Sequence, residues 1–164
     1  MRIRQHDPVA LAFLLNKLKS HLRITANDLD DELLAKLCAA VDESEHHIGR
    51  IILKSTLTDT VPFSTVLTLS RPLIQVDGIE VDGTSVDMEA VKVDVFAGTA
   101  TLPQAVQGDV VTVTYQAGMI QIPADVVEAV MLLAAYHFNN PLDTVDERFR
   151  ACFRILRSHR NYGM

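Results

Sequence analysis

The sequence predicts an α+β fold: mainly a helical bundle, with a small antiparallel β-sheet or hairpin inserted between the second and third long helices. Three observations carry this prediction. Leucines recur at helical spacing near the start, the hydrophobic period changes to alternation between about residues 56 and 118, and two more helical patterns follow Pro123. Helices are expected near 8–23, 28–50, 123–138 and 145–158, and the β element between about 64 and 116.

Asp7-Pro8 opens the first helix, with Asp as N-cap and Pro at the first helical position, where no N–H is needed. Leu11, Leu14, Leu15, Leu18 and Leu22 then share one face, while Lys17, Lys19 and Ser20 fall elsewhere on the wheel. Asn27 and Asp28 open the second helix. Asp30, Asp31 and Glu32 lie in its first turn, where carboxylates favour the positive end of the helix dipole. Leu34, Leu37, Val41, Ile48 and Ile52 keep one of its faces apolar.

The β-branched runs at 66–70, 91–95 and 110–115 are separated by Asp77-Gly78, Asp82-Gly83, Gly98 and Gly108. These spacings suit short antiparallel strands and are too short for parallel crossovers. Ile122-Pro123-Ala124-Asp125 begins the third helix, which is apolar almost all round as far as Phe138. Such a helix must be covered on every side, either as the centre of its own bundle or partly by a neighbouring subunit. Asn139-Asn140-Pro141 breaks it. In the last helix Phe149, Phe153 and Leu156 form an apolar seam, and Arg150, Arg154 and Arg157 form a basic stripe at i, i+4 and i+7. That stripe is either a solvated face, with cations near a helix C-terminus, or a contact surface.

A chain of 164 residues fits one domain, taken as 1–164, and 48% hydrophobic against 22% charged residues suits a folded protein. The longest apolar stretch, 126–138, is shorter than the roughly 20 residues that span a bilayer and contains Glu128 and His137, so no membrane partner is expected. The amphipathic start lacks a secretory core, and the cytoplasm is the expected site of synthesis. A net charge of −6 argues against a broad grip on DNA, yet it is compatible with a surface past which DNA slides. Cys38 and Cys152 lack metal-site spacing and read as buried free thiols.

Motifs of catalysis do not occur. No HExxH pair, GxSxG elbow or phosphate loop is present, and His46 and His47, being adjacent, point about 100° apart on a helix. No cofactor is expected. A hydrolase or metal enzyme using the acids of the second helix with His46 or His47 is the weakest of three readings.

Three segments together resemble the head-tail connector (head-completion adaptor) family of long-tailed double-stranded DNA phages and prophages. Lys19-Ser20-His21-Leu22-Arg23-Ile24, then Asp30-Asp31-Glu32-Leu33-Leu34 and Ala39-Ala40, is similar to the family's opening helix pair. Val111-Thr112-Val113-Thr114-Tyr115-Gln116-Ala117-Gly118 is similar to its closing strand. Ile122-Pro123-Ala124-Asp125-Val126-Val127-Glu128-Ala129-Val130, with Leu132-Leu133-Ala134-Ala135-Tyr136-His137-Phe138, is similar to its apolar helix. The order and spacing of the three are more specific than any one alone, and the sequence departs from the family's pattern at residues 77–103 and after Phe138.

The resemblance implies a structural virion protein, not an enzyme. It implies a homo-oligomeric ring of about a dozen copies, a heterologous closed assembly, beneath the portal protein. Tail-completion proteins would lie beyond it, and double-stranded DNA would pass through without sequence-specific binding. The protein would act in the virion and be assembled in the host cytoplasm. In the resembling family the C-terminal end reaches toward the portal. Phe149 and Phe153 are therefore candidate anchors, and Arg150, Arg154 and Arg157 candidate polar contacts, for the portal or a neighbouring subunit. The two phenylalanines could instead belong to the subunit's own core. The second reading is a phage accessory module that binds DNA or a packaging component through the same arginine stripe.

Overall fold

A computed structural model describes residues 1–140 and 147–160, and side chains throughout these except at 147–150. The backbone forms two compact units, neither contiguous in sequence: residues 1–7 with 53–120, and 8–52 with 121–164.

The first unit is built on two β-sheets, with one 3₁₀ turn at Met88–Ala90. Its larger sheet has the strands β1 (Arg2–His6), β2 (Ser55–Pro62), β8 (Val110–Ala117), β4 (Leu73–Val81) and β5 (Thr84–Ser85) in that spatial order, every pair antiparallel. Along the central β8, Val111, Val113, Tyr115 and Ala117 are buried and alternate with half-exposed Thr112, Thr114 and Gln116. A second antiparallel sheet orders β3 (Val66–Thr68), β7 (Thr99–Thr101) and β6 (Lys92–Asp94), with Ala100 of the middle strand fully buried.

Among the described residues the second unit holds four α-helices: α1 (Pro8–Leu22), α2 (Asp30–Ile48), α3 (Ala124–Asn139) and α4 (Glu147–Leu156). The leucine spacing of α1 buries Leu14 and Leu18, and α2 contributes Leu33, Leu37, Ala40, Val41 and Ile48. Lys19 Nζ closes the connection between them, donating to Asn27 Oδ1 at 2.7 Å and Asp30 Oδ1 at 2.6 Å. Gly49, in the left-handed region at φ 68°, ends α2 by donating its N–H to the Glu45 carbonyl at 2.8 Å. The buried Glu45 carboxylate then accepts the Ile52 N–H at 2.7 Å. Of the two ways to cover the apolar α3, the chain supplies one itself. The helix packs against α1, α2 and α4, burying Val126, Ala129, Val130, Met131, Leu133, Ala134, Ala135 and Tyr136.

The expectation of a mainly helical bundle with a small β insertion is overturned. Helix makes up 41% and strand 27% of the described residues, the strands in two antiparallel sheets, so the fold is mixed α+β. Nor is the sheet confined between the second and third helices, because β1 precedes α1, and between those helices the strands begin at Ser55, before the expected residue 64. Two physical causes hid these strands. The inward positions of β2 are Ser55, Leu57 and Asp59, so a buried charge interrupts the apolar alternation. In β4, Asp77-Gly78 reads as a turn but lies within the strand, where the register with β8 shifts between Val76 and Gly78. Asp82-Gly83 does turn the chain, with φ of 50° and 80°, joining β4 to β5 as a two-residue hairpin.

Gly118 shows how tightly the β unit closes. Its φ is +139°, and a Cβ there would lie 2.6 Å from Lys54 Cα and 2.7 Å from Lys54 N. Backbone cannot yield as a flexible side chain would. Gly118→Ala is therefore expected to cost about 1–3 kcal/mol in urea denaturation, through strain and overpacking together. A stability equal to the wild type would show that β8 and Lys54 can separate freely.

Candidate functional site

The C-terminal segment is built on a strongly amphipathic helix. α4 runs over Glu147–Leu156 and continues as a 3₁₀ turn over Arg157–His159. Its inward positions are Cys152 and Leu156, exposed by only 1% and 0%, and α4 packs on both α2 and α3. Burial pushes the Cys152 thiol above its ordinary value, which makes it an inert core group. Cys38 is half-buried.

Phe153 is half-buried and its ring lies 4.6 Å from that of His47 on α2, tilted by 49°. That contact belongs to the subunit's own packing, the alternative to an anchor. Arg154 and Arg157 are exposed three residues apart. Phe149 and Arg150 lie outside the described side chains. The segment is pinned at its far end, where His159 Nε2 meets Asp125 Oδ2, in the first turn of α3, at 2.7 Å. The hydrogen bond from His159 holds the Asp125 carboxyl below its ordinary range. This tether was not legible in the sequence, since 34 residues separate its ends.

A second group of surface features lies in the β unit, within the segment that matched no family pattern. Between β6 and β7 the turn carries Val95, Phe96, Ala97 and Gly98. Phe96 is 96% exposed, and Val93, Val95 and Val66 on the same small sheet are exposed too. The turn itself is tightly held. Asp94 Oδ1 accepts the N–H groups of Phe96 at 3.0 Å and Ala97 at 2.9 Å, and the Asp94 carbonyl accepts that of Gly98 at 2.9 Å. A cavity of about 570 Å³ opens elsewhere in this unit, with apolar walls from Val81, Val86, Ala90, Pro103 and Val106. Asp82 and Asp87 stand on its lining. An aromatic residue two positions before a turn glycine, where polar residues are usual, was the available sequence signal.

The acids at the start of α2 and the histidines near its end do not share a site. Asp31 and His46 lie about 22 Å apart along α2 at 1.5 Å per residue. Among the described residues no group of three or more His, Cys, Asp or Glu side chains could hold a metal ion. No helix among them is long and apolar enough to cross a membrane.

Comparison with known proteins gives a consistent picture. A chain in the neck of a native GTA particle, computed with C12 symmetry, superposes with a TM-score of 0.77 at 18% identity, covering 100% of this chain and 97% of that one. One in the neck of an empty GTA particle, computed with C6 symmetry, gives 0.75 at 17% identity, with coverages of 99% and 97%. A chain from the virion of a native gene transfer agent (GTA) particle gives 0.75 at 19%, covering 100% and 97%. At such identities these likenesses establish the fold. A search of curated proteins finds no match. The profile of the head completion protein family matches residues 13–146, from Phe13 in α1 through both sheets and all of α3. With well over half of its length matched in this way, the chain belongs to the head completion protein family.

Proposed function

We propose that this head completion protein assembles as a closed ring between the portal vertex of a phage-like head and its tail, and that DNA passes through the ring. The family match over residues 13–146 carries the reading. Support comes from the neck particles of the structural neighbours, computed with C12 and C6 symmetry. Tail-completion proteins would meet the face away from the portal. The net charge of −6 suits a channel wall to which DNA must not adhere. Such a protein works in the virion and joins it in the host cytoplasm.

Within this reading the C-terminal stripe is the contact toward the portal. Arg154 and Arg157 are exposed on a helix pinned at its end by His159 and Asp125, so their guanidinium groups start from a fixed base. Arginine forks pair bidentately with carboxylates, which suits an acidic rim on the partner. Arg150 completes the spacing. Replacing Arg150, Arg154 and Arg157 together by Glu is expected to leave the melting temperature unchanged while lowering attachment to portal-bearing heads at least about tenfold, chiefly by slowing association. Unimpaired attachment of a stable triple mutant would remove the stripe from the contact.

The same exposed arginines favour a second reading, an accessory module that grips DNA or a packaging component. It requires DNA affinity that falls steeply with salt, and affinity that is negligible or insensitive to salt would eliminate it.

A further inference from the structure

Phe96 is the most exposed large hydrophobic side chain among the described residues, at 96%. A free tip is usually polar, because an aromatic ring in water forfeits the burial of a large apolar surface. Here the ring stands on a turn already fixed by three hydrogen bonds to Asp94, so seating it in a partner would order little further chain. Arg71 packs against the same turn. The aliphatic stem of Arg71 lies 2.6 Å from where a Cβ on Gly98 would stand.

The cavity lies between the β4–β5 hairpin, with the chain that follows it, and the segments that flank the far end of the small sheet, Ala90 before β6 and Pro103 to Gln107 after β7. β6 leaves Ala90 and runs toward the turn, and β7 returns from it toward Pro103, so Ala90 and Pro103 mark the open end and Phe96 the closed one. The six residue steps between Ala90 and Phe96 span up to about 20 Å, so Phe96 cannot fold back into its own cavity without breaking the sheet. At about 570 Å³ the cavity has ample room for a phenyl group. Asp82 and Asp87 on its lining, with exposed Glu89 beside them, give it an acidic margin.

We propose that Phe96 of one copy of this chain inserts into the cavity walled by Val81, Val86, Ala90, Pro103 and Val106 of the next copy, with Arg71 meeting the acidic margin. Because the knob and the hole are different patches, pairing them head to tail makes a heterologous contact, which propagates and closes when the rotation permits. A reciprocal dimer, with each Phe96 in the other copy's cavity, would fill both sites as well but cannot build a ring, so the ring reading selects the head-to-tail arrangement. The inference rests on the ring reading above and names the surfaces that would close the ring.

The test is disulfide trapping in the full chain, with Phe96→Cys and Ala105→Cys, Ala105 being an exposed residue on the cavity lining. The double variant is expected to give an oxidant-dependent ladder of dimers, trimers and higher multimers up to a closed ring. Each single variant, like the wild type with its Cys38 and Cys152, should give none. Phe96→Ser should weaken subunit association about 30-fold or more with no loss of thermal stability, as a lost hot-spot aromatic does. Closed rings from the wild type, combined with no ladder and unweakened association of Phe96→Ser, would overturn the contact and leave the ring reading standing. Dimers as the sole trapped product, from the double variant or from Phe96→Cys alone, would also overturn it, by revealing a symmetric pairing. If the wild type forms no ring even on portal-bearing heads, the ring reading and this contact fall together.

Discussion

Leu133→Ala is expected to destabilise the protein by about 3–5 kcal/mol, because it opens a cavity at the centre of the helical unit. Leu133 is 0% exposed, on the helix that packs against α1, α2 and α4. A small-to-large collapse cannot repair the gap easily, since its neighbours Ala129, Val130 and Ala134 are themselves buried and short. Each compact unit is assembled from two separated segments, so the chain as a whole, residues 1–164, is expected to melt as one domain. The loss should therefore appear in calorimetry as a downward shift of one transition. A cost below about 1 kcal/mol would show that α3 is not the core of its bundle.

Removing Asp59 should have the next largest effect. Its carboxylate, on β2, is 6% exposed and accepts from Arg2 Nε at 2.6 Å, Arg2 Nη2 at 2.7 Å and the Tyr115 hydroxyl at 2.7 Å. The Tyr115 oxygen in turn accepts the Ser70 N–H at 3.2 Å. One carboxylate thus ties β1, β2 and β8 to the segment after β3. Asp59→Ala strands a buried hydroxyl donor and frees the edge strand, and should cost about 2–4 kcal/mol. The Arg2 side chain is 51% exposed, so most of this loss comes from the Tyr115 end.

The same site fixes a pH dependence. Burial pushes the Asp59 carboxyl up, but the Arg2 pair and the Tyr115 hydroxyl outweigh it and hold it below its ordinary value. A carboxyl depressed in the folded state stabilises the protein above its unfolded pKa, about 4, and that stability is lost as pH falls through the folded value. Between pH 5 and about 2 the wild type should lose more stability than Asp59→Asn. Parallel acid profiles for the two proteins would remove Asp59 from the sheet's pH response.

Helices were legible where periodicity and punctuation agree. α1 lies between Pro8 and Leu22 as Asp7-Pro8 and the leucine spacing require, and α3 starts one residue after Pro123. Strands were legible only where apolar residues alternate without interruption, as in β8. β1 is a short polar edge strand, β2 hides a carboxylate among its inward positions, and β4 carries Asp-Gly at a register shift. In each case a charge or a glycine serves a long-range partner, which local pattern cannot reveal. The candidate sites divide in the same way. The exposure of Arg154 and Arg157 follows from helical spacing, whereas Phe153 packs on His47, a residue 106 positions away in sequence. Phe96 went unnoticed because a turn aromatic has significance only once its exposure is known.

The most direct test of the ring is electron microscopy of portal-bearing heads incubated with the purified full-length protein. A closed ring of this chain at the portal vertex, with an open axial channel and each subunit contacting the next through two different patches, is the predicted result. Heads with a bare portal vertex, alongside protein that remains monomeric, would contradict it.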